Sequence, residues 1–170
     1  MATSTLVPVS EYLATSYRPD VDYVDGEIQE RNLGEWPHSR AQALVLAFLL
    51  QRERQWGIRA VPEQRVQVSP TRFRIPDVCV ILSSDPITPI LKQPPFLCIE
   101  ILSREDTVSR LNERLADYFR FGVRYVWVID PLARRAFVYT PGHMQEVLDG
   151  SLCTQNPELL VPLAEILKND

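Results

Sequence analysis

The sequence predicts an α/β fold in which a mixed sheet carries helices on its faces and a β-hairpin lies near the amino terminus. Two stretches, around residues 41–49 and 108–119, repeat apolar residues at helical spacing. Short segments rich in β-branched and aromatic residues lie between and after them. An Asp-Gly pair separates two strand-like segments close to the start, which is a strong hairpin signal.

The amino-terminal region is predicted to form a short helix and then the hairpin. Ser10 is placed to cap a helix that runs to about Ser16. Residues 21–24 and 27–31 flank Asp25-Gly26. A type I′ turn needs a positive φ at both central residues, and Asp-Gly tolerates this conformation.

The first long helix is predicted to begin near Pro37, which suits a first turn, and to end at Gly57. Three strand-like segments follow, at residues 58–61, 65–68 and 74–82. Pro76 lies inside the third segment and has no N–H to donate. It therefore fits a strand start or a bulge better than the middle of a central strand.

The second half repeats the pattern of strand, helix and strands. Residues 83–95 contain four prolines and are predicted to form a loop before a strand at 96–102. Asp106 or Thr107 can cap the second long helix, and Gly122 is placed to end it. Further strands are predicted at 124–130 and 134–140, a possible strand at 145–148, and a terminal helix near 163–168.

The bulk properties are those of a soluble globular protein. The 170 residues are 45% apolar and 24% charged, and we expect a single domain over residues 1–170. The net charge of −4 argues against a general nucleic-acid coat protein, but a nuclease with a local basic face stays possible. Only two of the 18 basic residues are lysines, Lys92 and Lys168.

Location and redox state follow from what the sequence contains. The three cysteines are an odd number, and Cys79 and Cys98 lie in predicted strands, so we expect buried thiols rather than a disulfide framework. The longest apolar run, residues 41–50, is too short for a membrane span. The first residues lack the positive region of a signal peptide, so we expect a cytoplasmic protein without a membrane partner.

Two carboxylates in apolar, strand-like surroundings are the most informative feature. Asp77 follows Ile75-Pro76, and Glu100 lies inside the segment 97–103. Burying a charge is costly unless a partner or a metal compensates it. On neighbouring strands the two acids could hold a hard divalent cation for phosphodiester hydrolysis. Alternatively each acid pairs with an arginine, and composition alone favours this alternative.

An ordered set of motifs resembles one protein family from about residue 8 to about residue 165. The chain is similar to the Uma-type putative restriction endonucleases, a branch of the PD-(D/E)XK nuclease superfamily. The motifs that carry the resemblance are Asp25-Gly26-Glu27, Pro37-His38, Ile75-Pro76-Asp77-Val78, Ile99-Glu100-Ile101-Leu102-Ser103, Tyr118 with Gly122-Val123, and Tyr125-Val126-Trp127-Val128-Ile129-Asp130-Pro131.

The resemblance implies a restriction-endonuclease-like core in which Asp77 and Glu100 are catalytic acids that bind Mg²⁺ or Mn²⁺. It also implies a lysine two residues after the glutamate, but Leu102 occupies that position. In this family a helix-borne lysine commonly precedes the Tyr–Gly–Val segment, and the matching residue is Arg114. An arginine can contact a phosphate, but it stays protonated and is a poor general base.

Several weaker candidates leave two interpretations open. His38 either orients water or phosphate or is a hydrogen-bonded histidine at a helix start. Glu27 either adds a third oxygen ligand or is an edge-strand charge, which we favour. Arginines along the second helix form either a solvated face or part of a phosphate-binding surface; they are Arg104, Arg110, Arg114, Arg120 and Arg124.

The sequence therefore predicts a metal-dependent DNA endonuclease with Asp77, Glu100, Arg114 and His38 in its site. A catalytically weak or inactive module that binds nucleic acid or protein on the same fold is the alternative, which the replaced lysine favours. We also expect a homodimer, because two-stranded cleavage commonly needs two sites and two-fold pairs are the commonest assembly. Trp36 and Phe121 are apolar residues that such an interface could cover.

Overall fold

A computed structural model describes residues 5–32 and 34–168 of the chain. The helices and strands follow in chain order: α1 Val9–Ala14, β1 Asp22–Val24, β2 Glu27–Gln29, α2 Trp36–Leu50, α3 Glu53–Trp56, β3 Ile58–Pro62, β4 Val66–Ser69, β5 Arg72–Arg74, β6 Val78–Leu82, β7 Leu97–Ile101, α4 Val108–Phe121, β8 Tyr125–Asp130, β9 Arg135–Thr140, β10 His143–Glu146, β11 Ser151–Cys153, β12 Leu160–Pro162 and α5 Leu163–Ile166.

The main sheet has six strands in the order β10-β9-β8-β7-β6-β3. The pair β7 and β8 is parallel, and the other neighbouring pairs are antiparallel. A second sheet has the order β2-β1-β5-β4, and β11 pairs with β12. The predicted class, a mixed sheet flanked by helices with an amino-terminal hairpin, is confirmed.

The strands β6 and β7 are apolar apart from Glu100, because both faces of the main sheet are covered. Val78 and Val80 pack in a core with α2 and α5, whereas Cys79 and Ile81 pack in a second core with α4. Alternation of side chains across a strand sends consecutive residues to opposite cores. Glu100 within β7 and Asp77 immediately before β6 are therefore buried acids in otherwise hydrophobic surroundings.

The predicted hairpin forms around Asp25-Gly26, with φ +49° at Asp25 and +98° at Gly26. A Cβ atom at residue 26 would also lie 3.0 Å from Leu6, so both the positive φ and the lack of space favour glycine there. Beneath the hairpin, Tyr12, Tyr23 and Phe73 form a small aromatic cluster with ring centroids 4.7 to 6.0 Å apart. This cluster anchors the second sheet to α1.

The single strand expected over residues 74–82 is wrong, because the chain leaves one sheet and enters the other there. Arg74 ends β5 of the second sheet and Val78 begins β6 of the main sheet. Ile75, Pro76 and Asp77 form the crossing. Proline cannot donate to a ladder, so the break falls where the sequence cannot continue a strand. The break leaves Asp77 outside both ladders.

The largest other difference is the end of the first long helix, and the remaining boundaries differ by a few residues. The first long helix ends at Leu50, and Gly57 instead closes the separate one-turn α3 in a left-handed conformation. The residue before α1 is Pro8 rather than the expected Ser10. Thr107 accepts a hydrogen bond from the Arg110 N–H as the cap of α4. The short pair β11 and β12 lacks a periodic pattern and was not predicted.

Cys79 and Cys98 are buried free thiols and are register partners across β6 and β7. Cys153 is also free and is partly exposed. The expectation of reduced, buried strand cysteines therefore agrees with the fold. Within the described ranges, none of the helices is long and apolar enough to cross a lipid bilayer.

Candidate functional site

The crossing between the two sheets brings Asp77 beside Glu100. Val78 lies opposite Ile99 in the antiparallel pair of β6 and β7, so the residue before Val78 lies next to the residue after Ile99. The Ile101 N–H donates to Asp77 Oδ2 at 2.7 Å and fixes that carboxylate against β7. Both acids are 4% exposed and line one cavity of about 360 Å³.

Asp77 is held from the other side by residues of the amino-terminal half. Arg31 Nη2 donates to Asp77 Oδ1 at 2.8 Å, and Arg31 Nη1 lies 3.5 Å from Glu63 Oε1. Burial is the largest single effect and lowers the pKa of Arg31, but the negative charges around it, Asp77 foremost, together outweigh burial and raise the pKa overall. Arg31 follows β2 in a segment without regular structure, and no local pattern marks it as a site residue.

His38 is the second group that contacts Asp77. Its Nε2 lies 3.3 Å from Asp77 Oδ2, and the hydrogen bond to Asp77 raises the histidine pKa against the opposing effect of burial. The first turn of α2 carries His38 to the cavity wall. Its Nδ1 atom is buried and has no hydrogen-bond partner. The structure therefore brings His38 to the predicted site, where its role stays a prediction.

Glu100 lies at the floor of the cavity between two residues of α4. The Tyr118 hydroxyl donates to Glu100 Oε1 at 2.6 Å, and Arg114 Nε lies 3.3 Å from Glu100 Oε2. Burial raises the pKa of Glu100 to about 7; Arg114 opposes the rise, and the charge of Asp77 adds to it. The acid therefore carries a burial cost that the neighbouring cations do not fully offset.

Arg114 points into the site rather than into bulk water. Its side chain is 18% exposed, and its Nη2 donates to Asp106 Oδ1 at 2.9 Å. The nearby charge of Glu100 raises the pKa of Arg114, so the guanidinium stays protonated. Arg114 and Tyr118 lie one helical turn apart on α4, which lets both reach Glu100. This is the location that the sequence predicted; a catalytic role of Arg114 stays a prediction.

A second group of buried charges, the Arg74 cluster (Asp22, Gln29, Arg74 and Asp117), adjoins these residues. Arg74 is 1% exposed; its Nε donates to Asp117 Oδ2 at 2.8 Å, and its Nη1 donates to Asp22 Oδ2 and Gln29 Oε1. Asp22 Oδ1 accepts the Ile75 N–H at 3.0 Å, two residues before Asp77. The cluster thereby fixes the backbone that leads into the site.

We call the residues around the two acids the cleft cluster, namely Arg31, His38, Asp77, Glu100 and Arg114. Sequence reasoning missed Arg31 and the whole Arg74 cluster. One signal was available for Arg74 and Asp22, since both are charged residues within strand-like segments. No such signal marked Arg31.

The remaining predicted residues divide between the cavity and the surface. Arg110 lines the cavity, whereas Arg104 pairs with Glu35 and Arg120 pairs with Asp117. Arg124 donates to the carbonyl of Asn156 at an exposed position. The arginines therefore do not form one continuous surface. Glu27 is exposed on the edge strand β2 and is not among the residues that line the cavity.

The residues present fit a hard divalent cation that needs only one or two ligands from the protein. No group of three or more His, Cys, Asp or Glu side chains in the described chain is arranged to hold a metal ion. Mg²⁺ and Mn²⁺ nevertheless keep several waters and commonly use one or two carboxylates plus substrate phosphate. Asp77 and Glu100 supply two carboxylates, and the raised pKa of Glu100 shows that added positive charge would be favourable.

Comparison with known proteins places the chain in a family. The solved structure of a putative nuclease belonging to DUF820 from Anabaena variabilis ATCC 29413 is 22% identical, with a TM-score of 0.80 over 93% of this chain and 96% of that chain. At that identity the likeness shows the fold. No curated protein matches the sequence. A sequence profile of the Uma2 family, described as "Putative restriction endonuclease", matches residues 9–165. The chain belongs to the Uma2 family of putative restriction endonucleases.

Proposed function

We propose that the protein is a nuclease that uses a divalent cation to hydrolyse phosphodiester bonds in DNA. The observation that carries the proposal is the pair of buried carboxylates that line one cavity, Asp77 immediately before β6 and Glu100 in the adjacent strand β7. Family membership supports the reaction class. The cavity opens among arginines, which are the side chains that hold phosphate groups best.

Asp77 and Glu100 would hold Mg²⁺ or Mn²⁺ in this proposal. When bound, the cation would polarise the scissile phosphoryl group and lower the pKa of a water molecule. Asp77 is kept in place by the Ile101 N–H and Glu100 by the Tyr118 hydroxyl. These bonds hold both acids without consuming all of their lone pairs, since a carboxylate offers about four acceptor sites.

Arg114 would contact the phosphate and stabilise the negative charge that develops as the bond breaks. It cannot serve as the general base, because its guanidinium stays charged beside Glu100. His38, which lies beside Asp77 and lines the cavity, would orient the attacking water. Deprotonation of the water would then fall to the solvent and the cation site, which predicts a slow enzyme.

A catalytically weak or inactive module that binds nucleic acid or protein is the second candidate. Arg114, where the family commonly has lysine, is the observation that favours it, because the guanidinium already pairs with Asp106 and lies beside Glu100. The retained pair Asp77 and Glu100 opposes it. Both candidates share the cavity, so cleavage separates them.

The deciding experiment incubates purified protein with supercoiled plasmid and with single-stranded DNA in Mg²⁺, Mn²⁺ or EDTA. We expect nicked or linear plasmid with the metals and intact plasmid with EDTA or with Asp77→Asn. Binding without any cleavage in either metal would favour the binding module. Cleavage that persists in EDTA and in Asp77→Asn would contradict the metal-dependent proposal.

We also propose that residues 1–170 fold as a single domain and that the protein acts in the cytoplasm. We further propose that its active form is a homodimer. Trp36 is 74% exposed and is available to an interface, whereas Phe121 is packed against the α4 side of the core. The dimer would place two sites on the two strands of a duplex. A monomer mass by light scattering over a broad concentration range would contradict the dimer.

A further inference from the structure

We propose that Arg31 is a substrate-contacting residue. In the free protein its guanidinium holds Asp77, and when DNA binds the side chain moves to hydrogen-bond a phosphate of the strand. The proposal rests on the function proposed above. It concerns how binding of DNA phosphate and of the cation at the same site depend on each other. It assigns a role to a residue outside every motif of the sequence, from its contacts alone.

The first observation is that a guanidinium group lies beside each of the two acids. Arg31 Nη2 is 2.8 Å from Asp77 Oδ1, and Arg114 Nε is 3.3 Å from Glu100 Oε2. Two positive charges face two negative charges, so a divalent cation entering the free site would meet repulsion from both arginines. The free protein should consequently bind a divalent cation more weakly than it would without these arginines.

The second observation is that the two arginines are held differently. Arg114 is carried by the middle of α4 and is fixed by Asp106, which itself accepts the Ser103 N–H and hydroxyl. Arg31 lies in the irregular segment between β2 and α2, and its second partner, Glu63, is 55% exposed and 3.5 Å away. Arg31 is therefore the guanidinium that can leave its acid at the lower cost.

The third observation is that Asp77 does not depend on Arg31 to stay in place. Its Oδ2 accepts the Ile101 N–H and lies beside His38, while Arg31 engages Oδ1. If Arg31 moves, Oδ1 becomes available and the carboxylate keeps its orientation. The chemistry that would draw Arg31 away is a phosphodiester anion in the cavity, because guanidinium binds phosphate through paired N–H donors.

The prediction has a sign that a merely structural role would reverse. If Arg31 only positioned Asp77, its removal would weaken cation binding. If Arg31 competes with the cation, Arg31→Gln should bind Mn²⁺ more tightly in the absence of DNA. The same variant should bind DNA more weakly in the absence of metal, because one phosphate contact is lost.

The test measures Mn²⁺ binding to the DNA-free protein by titration calorimetry, and binding of a fluorescent 20-base-pair duplex in EDTA by anisotropy at several salt concentrations. For Arg31→Gln we expect Mn²⁺ affinity to rise and duplex affinity to fall, each by at least about fivefold, the lower end of typical coupling between sites. The slope of log K against log salt should drop by about 0.9, as for one lost phosphate contact. Arg135→Gln, which removes an exposed arginine from β9, is the control and should change neither affinity by more than about twofold, as for an ordinary surface change.

Glu63→Gln provides a second variant at an exposed position, in case Arg31→Gln fails to fold. Removing the charge of Glu63 weakens one of the two contacts that hold Arg31. Glu63→Gln should therefore bind the duplex more tightly than Glu27→Gln does. The control Glu27→Gln removes the same charge from the exposed strand β2, away from the cavity.

Weaker or unchanged Mn²⁺ binding by Arg31→Gln, or equal duplex affinities of Glu63→Gln and Glu27→Gln, would overturn the role of Arg31. The proposed function would survive either result if the parent binds Mn²⁺ and Asp77→Asn does not. If neither the parent nor any variant binds Mn²⁺, the proposed function and the inference fail together.

Discussion

The Arg74 cluster and the cleft cluster adjoin each other, yet their charges are held in different ways. In the Arg74 cluster the partners lie on β1, β2, β5 and α4, all regular elements, and the guanidinium is 1% exposed. In the cleft cluster Arg31 comes from an irregular segment, His38 from a helix end, and Asp77 from the crossing between sheets. The first arrangement resists change, whereas the second leaves acceptor atoms facing a cavity.

The difference teaches where buried charge serves the fold and where it is available for chemistry. Arg74 joins the hairpin to α4 and uses its donors on three side chains. Burial raises the pKa of Asp22, against the lowering effect of Arg74, so the pairing has to be retained for the acid to stay charged. Glu100 has a raised pKa for the same reason but faces the cavity, where a cation could offset the cost.

Replacing Arg74 should produce the largest loss of stability. Arg74→Met leaves Asp22 buried without its cation, whereas Asp117 keeps its contacts with Arg72 and Arg120. Breaking a buried pair in this way costs about 3–5 kcal/mol. Arg31→Met should cost no more than about 2 kcal/mol, because Asp77 keeps the Ile101 N–H and faces the cavity. Urea unfolding of both variants checks the difference. Equal losses would show that the two clusters are held alike.

Replacing Asp77 should affect activity far more than folding. Asp77→Asn keeps an acceptor for the Ile101 N–H but removes the charge that would hold the cation. We expect Mn²⁺-dependent plasmid cleavage to fall by at least about 100-fold, equivalent to about 2.7 kcal/mol. Calorimetric titration should show that Mn²⁺ binding is lost. Asp25→Asn, in the exposed hairpin turn, is the matched control and should cleave like the parent.

The raised pKa of Glu100 predicts a pH dependence of stability in EDTA. Its pKa is 4.5 ordinarily and about 7 in the folded protein, so the folded state binds more protons between these values. The free energy of unfolding should therefore fall as pH rises through that window, by on the order of 1–3 kcal/mol from this residue.

Glu100→Gln isolates this effect because it cannot ionise. Subtracting its unfolding free energy from that of the parent at each pH should give a curve that declines from about pH 4.5 to about pH 7. Added Mn²⁺ should reduce the decline in the parent only. A flat difference curve would show that Glu100 keeps its ordinary pKa.

The Arg114 variants should give the smallest change and the sharpest distinction between the two candidate functions. Arg114→Ala should lower cleavage or duplex affinity about tenfold, as for the loss of one charge-assisted contact. Arg114→Lys should leave cleavage unchanged or raise it, because a desolvated lysine can release a proton. Cleavage assays at matched metal concentration test both. An Arg114→Ala variant that binds and cleaves like the parent would remove Arg114 from the site.

Much of the fold follows from local patterns. The spacing of apolar residues placed α2 and α4, and Asp25-Gly26 placed the hairpin. The strand expected over 74–82 failed because periodicity cannot tell one long strand from two that meet at a proline. The pair β11 and β12 was missed because three-residue strands are too short to show a period.

The candidate site could be predicted only in part for a related reason. Asp77 and Glu100 stand out as charges among apolar strand residues, and family motifs add Arg114 and His38. Arg31 and Asp77 are 46 residues apart in the chain, and Arg74 and Asp117 are 43 apart. Such pairs leave no local pattern, because the 16 arginines are equally plausible partners for any buried acid.

The sequence by itself determined the mixed α/β class, the hairpin and the two acids in apolar surroundings, because these depend on residue types a few positions apart. The tertiary structure alone decided which cation faces which acid, and that Asp77 lies at the crossing between two sheets. Burial and the distances between charged atoms arise only when distant segments pack. The pKa of Glu100 and the contact between Arg31 and Asp77 depend on those distances, so only the folded chain could reveal them.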